Sequence, residues 1–246
     1  MKKFILILFY FQILKESINS CEIIIKIKGP NNQKFVNNNN YHKCPDEIIF
    51  INENKKLNNK CESQFEKEEN IIILKWNNHI NGYELFKGLT SIIEIHFFNC
   101  TIINSMHQIF NGCSSLKSIN FTGLTINYLN QNVDTMYGTF KNCISLKSID
   151  LSPIKLPSID YRYFFDGCKN LEYINFINYD ETKTRYDKLK LDDIVPKNLV
   201  ICIKQDLAPI LYSSLEKREC TIIYCDVDAV LQFWSQLCGF ISLRNN

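Results

Sequence analysis

Four segments of the chain share one pattern of apolar and polar positions. Each segment begins with Phe, has Leu or Cys three residues later, and continues as Leu/Ile-x-x-Ile-x-Phe/Leu. Their first residues, separated by 24, 30 and 25 positions, are Phe86, Phe110, Phe140 and Phe165. A recurring unit of this length is typical of a solenoid, in which copies stack because no copy can bury its apolar side alone.

The second part of each unit predicts a short strand whose Leu, Ile and Phe side chains point into the core. The expected strands cover 92–97, 116–121, 146–151 and 171–176. The segments before the leading Phe, at 106–110, 136–140 and 161–165, are predicted to form one helical turn on the opposite face. The predicted fold class is therefore an α/β solenoid with a parallel β-sheet on its concave face.

The sequence on either side of the repeats, which occupy 85–189, predicts two caps. Terminal repeats need caps because their open core edge would otherwise face water. Residues 21–84 predict a β-rich N-terminal cap with strands at 22–28, 47–52 and 70–76 and a polar loop at 55–70. Residues 190–246 predict a mixed C-terminal cap with strands at 198–203 and 221–225 and helices at 206–217 and 228–237.

Residues 1–20 have the features of a signal peptide. Lys2 and Lys3 precede an apolar stretch at 4–14, and Ser20 is a small residue before a cleavage point. The alternatives are an uncleaved N-terminal anchor and, from 18–21, a bacterial lipidation box. The apolar run at 221–243 is interrupted by acidic and amide side chains, so no membrane span is expected in the mature chain. The prediction is a secreted or cell-surface protein.

Charge excludes one class of partner. The chain has 28 Lys and Arg against 26 Asp and Glu, a formal net charge of +2. This balance gives no electrostatic footprint for nucleic acid.

The eleven cysteines fall into two groups. Cys113, Cys143 and Cys168 occupy the repeat position that Leu89 fills in the first copy, which predicts buried, unpaired thiols. The remaining cysteines are disulfide candidates of unknown connectivity: Cys21, Cys44, Cys61, Cys100, Cys202, Cys220, Cys225 and Cys238. Zinc binding by the last four is disfavoured because their spacing is irregular.

Candidate catalytic chemistry is sparse. The histidines His42, His79, His96 and His107 have no metal or triad spacing, and the chain has no glycine-rich phosphate loop. The sequence predicts no catalytic residue, no metal and no cofactor. A cysteine-dependent enzyme built on the repeats is kept as an alternative, since it would need one of the core or disulfide cysteines.

The repeat unit resembles the leucine-rich repeats of BspA-like surface proteins of bacteria and protists. The resemblance is carried by Cys-Ser-Ser-Leu-Lys-Ser-Ile at 113–119, its copy at 143–149, Met-x-x-x-Phe at 106–110 and 136–140, and 170–176. It covers about 85–190 and implies a short leucine-rich-repeat array in an extracellular or surface protein tied to adhesion and host contact. The function predicted is non-enzymatic binding of a protein or glycan on another cell or matrix. An N-terminally anchored intracellular or vesicular scaffold is the alternative.

Alternation along the repeat strands predicts which residues point outward on the concave face. Either they bind the partner or they are merely solvated. The predicted partner-binding residues are Glu94, His96, Phe98, Ser118, Asn120, Ser148, Asp150, Tyr173 and Asn175, with Thr122, Ser152 and Ile177 at the strand ends. Two glycosylation sequons begin at Asn99 and Asn120.

Overall fold

The structure, a computed structural model, describes residues 21–38, 42–51, 53, 55–103, 105–127, 136–156, 160–183, 191, 199–217 and the backbone of 222–223. The predicted leader at 1–20 and the predicted helix at 228–237 lie outside the described residues. No helix in the described ranges is long and apolar enough to cross a membrane.

The described chain contains fifteen strands and one short α-helix, α1 at Pro209–Leu215, besides a 3-10 turn at Glu181–Lys183. The strands are β1 Cys21–Lys28, β2 Asn31–Lys34, β3 Glu47–Phe50, β4 Lys55–Leu57, β5 Glu62–Phe65, β6 Glu69–Trp76, β7 Ile80–Asn81, β8 Ile92–Phe98, β9 Cys100–Ile103, β10 Ser118–Asn120, β11 Leu124–Asn127, β12 Ser148–Asp150, β13 Tyr173–Asn175, β14 Val200–Cys202 and β15 Ile222–Ile223.

These strands build a β-solenoid of about four turns with parallel sheets. The repeat strands pair in parallel, β8 with β10 and β12 with β13, and β14 and β15 continue the second pair. A second parallel sheet, β7–β9–β11, runs beside the first repeats. The predicted solenoid and its parallel strands are confirmed.

The α part of the predicted fold class is wrong. The segments before each leading Phe form tight turns with single local bonds, such as Ile109 N–H to the carbonyl of Met106, and not a continuous helical series. In the first three segments, other N–H groups donate to the next turn. The N–H of Phe86 bonds the carbonyl of Ile109 at 2.9 Å, and the N–H of Phe110 bonds the carbonyl of Thr139 at 3.0 Å. Left-handed backbone two residues before and after each Phe, as at Gln108 (φ 50°) and Gly112 (φ 78°), also excludes a helix.

The N-terminal region joins the repeat sheet directly. Strand β1 lies antiparallel between β6 and β8, so the sheet order is β10-β8-β1-β6-β3-β4. Ile23, Ile25 and Ile27 of β1 are fully buried under the first repeat. The loop predicted at 55–70 instead contains β4 and β5, because those residues pair with β3 and β2.

The core follows the repeat positions. The rings of the leading phenylalanines stack in one column, at centroid separations of 5.8 Å, 5.5 Å and 5.6 Å from Phe86 through Phe165. Cys113, Cys143 and Cys168 are free thiols with no exposed surface, as predicted.

Disulfides stabilise the start of the solenoid. Cys21 is bonded to Cys100, which ties β1 to β9, and Cys44 is bonded to Cys61 within the N-terminal region. Cys202 is also disulfide-bonded. Such bonds indicate an oxidising environment, as found outside the cell.

The described C-terminal part is held by a buried carboxylate. Glu181 is 3% exposed, and its two oxygens accept the N–H groups of Ile210 and Leu211 at 2.7 Å and 3.1 Å. These are the first N–H groups of α1, whose own preceding residue, Ala208, supplies no side-chain cap. A carboxylate at this position satisfies orphan donors and interacts favourably with the helix dipole.

Candidate functional site

We use "strand face" for the outward sides, away from the core, of β1, β8 and β10 in one sheet and of β12 and β13 in the next sheet. The strand register places the predicted partner-binding residues in two groups. Glu94 lies opposite Ser118 and His96 opposite Asn120, while Ser148 lies opposite Tyr173 and Asp150 opposite Asn175. Strands β10 and β12, the inner members of these pairs, contact each other.

The first group is extended by a residue of the N-terminal region. The ammonium of Lys26 on β1 lies 2.9 Å from a carboxylate oxygen of Glu69 and 3.5 Å from one of Glu94. The hydrogen bond to Glu69 raises the pKa of Lys26, with Glu94 adding and burial opposing. His96 completes the row, with its Nε2 3.9 Å from Glu94. Sequence reasoning missed Lys26 because its neighbours come from a strand that pairs over long range.

The second group differs in exposure. Ser148 and Asp150 are exposed, whereas Tyr173 is only 8% exposed. The Tyr173 hydroxyl has no hydrogen-bond partner among the described residues. Burial, and then the Asp150 carboxylate, raise the pKa of Tyr173 to about 12. Tyr173 therefore contributes little accessible surface to this face, although alternation directs it outward.

Three of the predicted partner-binding residues also shape the backbone. Each occupies the same repeat position at the end of a strand and accepts the N–H two residues ahead through its Oδ1. The bonds are Asn120 to Thr122 at 2.9 Å, Asp150 to Ser152 at 2.9 Å and Asn175 to Ile177 at 3.4 Å. Only their remaining atoms are available to a partner.

The middle of the strand face is lined by small side chains. Ser118 and Ser148 are exposed and occupy the same repeat position, with half-buried Glu94 before them and buried Tyr173 after them. Phe98 lies half-buried at the end of β8, opposite Glu22. This leaves a polar, solvent-accessible strip over β10 and β12.

Both sequon asparagines are exposed. Asn99 lies in the turn between β8 and β9 with left-handed backbone (φ 46°), beside the disulfide-bonded Cys100. Asn120 lies on the strand face itself, and its Oδ1 also accepts the hydroxyl of Thr122. A glycan on Asn120 would cover the middle of this face.

The open end of the first turn is closed by polar groups from the N-terminal region. In later turns, the carbonyls of His107, Ile109 and Asn111 accept N–H groups from the turn before. In the first turn, the corresponding carbonyls are bonded by side-chain and backbone groups of two residues. His42 Nε2 bonds the carbonyl of Tyr83, and Asn37 bonds the carbonyls of Leu85 and Lys87 at 2.9 Å each.

A cleft lies beside this cap. We use "cap cleft" for this cavity of about 410 Å³, which has an apolar floor and a rim of hydrogen-bonding side chains. Its lining residues are His42, Lys43, Asp46, Trp76, Asn78, His79, Ile80, Asn81, Leu85 and Ile103. The sequence carries no signal for it, because these residues come from separate segments that only the fold brings together.

The core thiols are poor nucleophiles in this fold. Burial raises the pKa of Cys113 and Cys168 to about 12, and it raises the pKa of Cys143 well above its ordinary value. Each thiol lies within 3.1 Å of a carbonyl oxygen in the preceding turn, those of Phe86, Phe110 and Phe140. Since the thiolate is the reactive form, these groups fit a structural role.

Within the described ranges, no group of three or more His, Cys, Asp or Glu side chains is arranged to hold a metal ion. Comparisons of the chain with protein-family models, with curated proteins and with solved structures found no match.

Proposed function

We propose that this chain is a non-enzymatic, extracellular or cell-surface repeat protein that binds a macromolecular partner through its strand face. The observation that carries the proposal is the polar strip over β10 and β12, where Ser118, Asn120, Ser148 and Asp150 are all exposed. Parallel pairing holds β10 against β8 and β12 against β13, and β10 contacts β12. The partner is a protein or glycan on another cell or matrix. The resemblance to BspA-like proteins supports a role in adhesion and host contact.

Two further observations support a binding role over catalysis. The buried thiols have raised pKa values, which argues against a cysteine nucleophile among them. On the strand face, the Lys26 ammonium is already paired with the carboxylates of Glu69 and Glu94 instead of facing a substrate. The side chains described on the strand face do not form a group of acid, base and nucleophile within hydrogen-bonding reach of one another.

Binding to cells or immobilised matrix, measured with the purified chain, tests the proposal. Ser118→Arg and Ser148→Arg each place a long side chain on the strip without disturbing the core, because both serines are exposed. Each variant is expected to reduce binding at least tenfold. Asn58→Arg, at an exposed position of the N-terminal region, is the matched control and is expected to bind normally. Equal binding by all three folded variants would move the partner site off the strand face.

A further inference from the structure

We propose that the cap cleft binds a neutral carbohydrate, such as the terminal unit of a glycan. The cleft is separate from the strip over β10 and β12, so this inference does not depend on the function proposed for the strand face. It follows from the size of the cleft, the chemistry of its walls and the way its side chains are held.

The size of the cleft fits a small ligand. Its volume of about 410 Å³ lies within the range of small-molecule sites, about 300–1,000 Å³. The cavity opens beside β7, the edge strand of the β7–β9–β11 sheet. A ligand bound there would contact both the N-terminal region and the first repeat.

The residues that line the cleft form two groups, an apolar floor and a polar rim. Trp76, Ile80 and Leu85 are each no more than 5% exposed and form the apolar floor. Lys43, Asp46 and His79 are exposed at the opening. A pyranose has the same division, since its C–H groups form an apolar face and its hydroxyls project from the edge. Sites with apolar walls and a few placed polar groups are typical of ligand pockets.

The polar groups of the rim match hydroxyls better than they match ions. A hydroxyl both donates and accepts, and the amides of Asn78 and Asn81 and the ring of His79 can do the same. Lys43 is a donor and Asp46 an acceptor, so the fixed charges of the lining cancel. An anion such as phosphate would face Asp46, and a cation would face Lys43. A neutral ligand with many hydroxyls avoids both conflicts.

Three of the lining side chains are held by one atom and keep another atom unbonded within the described part of the chain. Asp46 Oδ2 accepts the N–H of Asn77 at 2.7 Å, and Asn81 Oδ1 accepts the N–H of Tyr83 at 2.9 Å. His42 donates from Nε2 to the carbonyl of Tyr83, which leaves Nδ1 as an acceptor in the neutral ring. Trp76 is fixed in a similar way, by a 3.1 Å bond from Nε1 to the carbonyl of Lys43. Polar groups fixed before binding lose little conformational entropy when a ligand arrives.

Fluorescence of Trp76 gives a direct readout. The full chain with Trp234→Phe retains Trp76 as its single tryptophan. It is titrated with the methyl glycosides of glucose, galactose, mannose and N-acetylglucosamine, and with phosphate and L-phenylalanine as non-sugar probes. We expect at least one glycoside to bind with a Kd of about 1 mM or lower, and to change the emission of Trp76. Saturation-transfer NMR on the unaltered chain provides the same answer if Trp234→Phe does not fold.

Variants at the rim locate the binding. Asn78→Ala and His79→Ala alter exposed residues whose side chains make no hydrogen bond to the described residues, so the fold is expected to persist. Each is expected to weaken glycoside binding about tenfold, the effect of one lost hydrogen bond. Lys169→Ala, at an exposed position of the last repeat that lies in neither the strand face nor the cleft lining, is the matched control and should leave the affinity unchanged. The proposal is overturned if no glycoside binds, if the rim variants bind as well as the parent, or if phosphate or L-phenylalanine binds in its place.

Discussion

The Sγ atom of Cys143 lies 3.1 Å from the carbonyl oxygen of Phe110 in the preceding turn. The same relationship joins Cys113 to Phe86 at 3.0 Å and Cys168 to Phe140 at 3.0 Å. One side chain therefore both fills the core at its repeat position and links its turn to the one before.

Cys143→Ala tests this double role. The change leaves a cavity at a fully buried position and removes the S–H···O contact, so we expect the free energy of unfolding to fall by about 1–3 kcal/mol. Ile144→Ala, next in sequence but 44% exposed, is the control and should change it by less than about 0.5 kcal/mol. Denaturant titration measures both, and equal stability of the two variants would exclude a core role for Cys143.

The buried thiols should be protected from reagents. Burial raises the pKa of Cys113 and Cys168 to about 12, so almost no thiolate is present near neutral pH. Alkylation of the native chain without reductant is expected to leave Cys113, Cys143 and Cys168 unmodified, and alkylation in denaturant should modify all three. Peptide mass spectrometry reads out each site. Rapid labelling of any of these thiols in the native chain would support the alternative of a cysteine-dependent enzyme.

Stability should depend on pH through His42. Burial lowers the pKa of His42 below its ordinary value of 6.5, and its hydrogen bond to the Tyr83 carbonyl opposes this only partly. The unfolded chain therefore binds a proton near pH 6.5 that the folded chain does not yet bind. This contribution to stability is complete above pH 6.5 and is lost as the pH falls below it, with a slope of at most about 1.4 kcal/mol per pH unit.

His42→Gln should flatten this part of the profile, because the Gln amide can still donate to Tyr83 but does not titrate. His79→Gln, at an exposed position, is the control and should keep the parent's slope. The measurement is the free energy of unfolding between about pH 7 and pH 5. A parent-like slope in His42→Gln would assign the dependence to another group.

The two described disulfides should contribute unequally. The Cys21–Cys100 bond closes a sequence separation of 79 residues and the Cys44–Cys61 bond one of 17. The chain-entropy model assigns them about 4.5 and about 3 kcal/mol. Replacing both partners with Ala in each bond, followed by denaturant titration, should destabilise the Cys21–Cys100 variant more. The opposite order would show that strain or residual unfolded structure outweighs loop length.

Helix α1 should depend on Glu181. Its carboxylate accepts two N–H groups at the start of α1, so Glu181→Ala is expected to cost about 2–3 kcal/mol, and Glu181→Gln less because one oxygen remains. Hydrogen exchange at Ile210 and Leu211 should accelerate in both variants. Glu216→Gln, exposed at the other end of α1, is the matched control. Unchanged exchange at Ile210 in Glu181→Ala would exclude this capping role.

Much of the repeat core follows from pattern alone. Phe110, Cys113 and Leu116 are fully buried, and the expected strand at 116–121 contains β10. These predictions succeed because local alternation and spacing decide which side chains face inward. The expected helical turns fail at residues such as Gln108, whose N–H bonds the carbonyl of Tyr137 in the next turn at 2.9 Å. A single repeat contains no information about that competing acceptor.

The candidate sites, like the fold, were predicted from the sequence only in part. Alternation identifies Ser118, Asn120, Ser148 and Asp150 as exposed, and they are. It also directs Tyr173 outward, where the structure buries it. The cap cleft was invisible in the sequence, since Asp46, Trp76 and Ile103 belong to three separated strands or turns.

The sequence by itself determined that the chain is a solenoid, which positions form its core and which cysteines are free thiols, because those features recur within each unit. Only the tertiary structure decided that the turns are not helical, that β1 enters the repeat sheet beside β8, and that His42 and Asn37 close the first turn. Each of these depends on hydrogen-bond partners far apart in the chain. A local sequence pattern does not identify the hydrogen-bond partner of a backbone group, because that partner comes close only when the chain is folded.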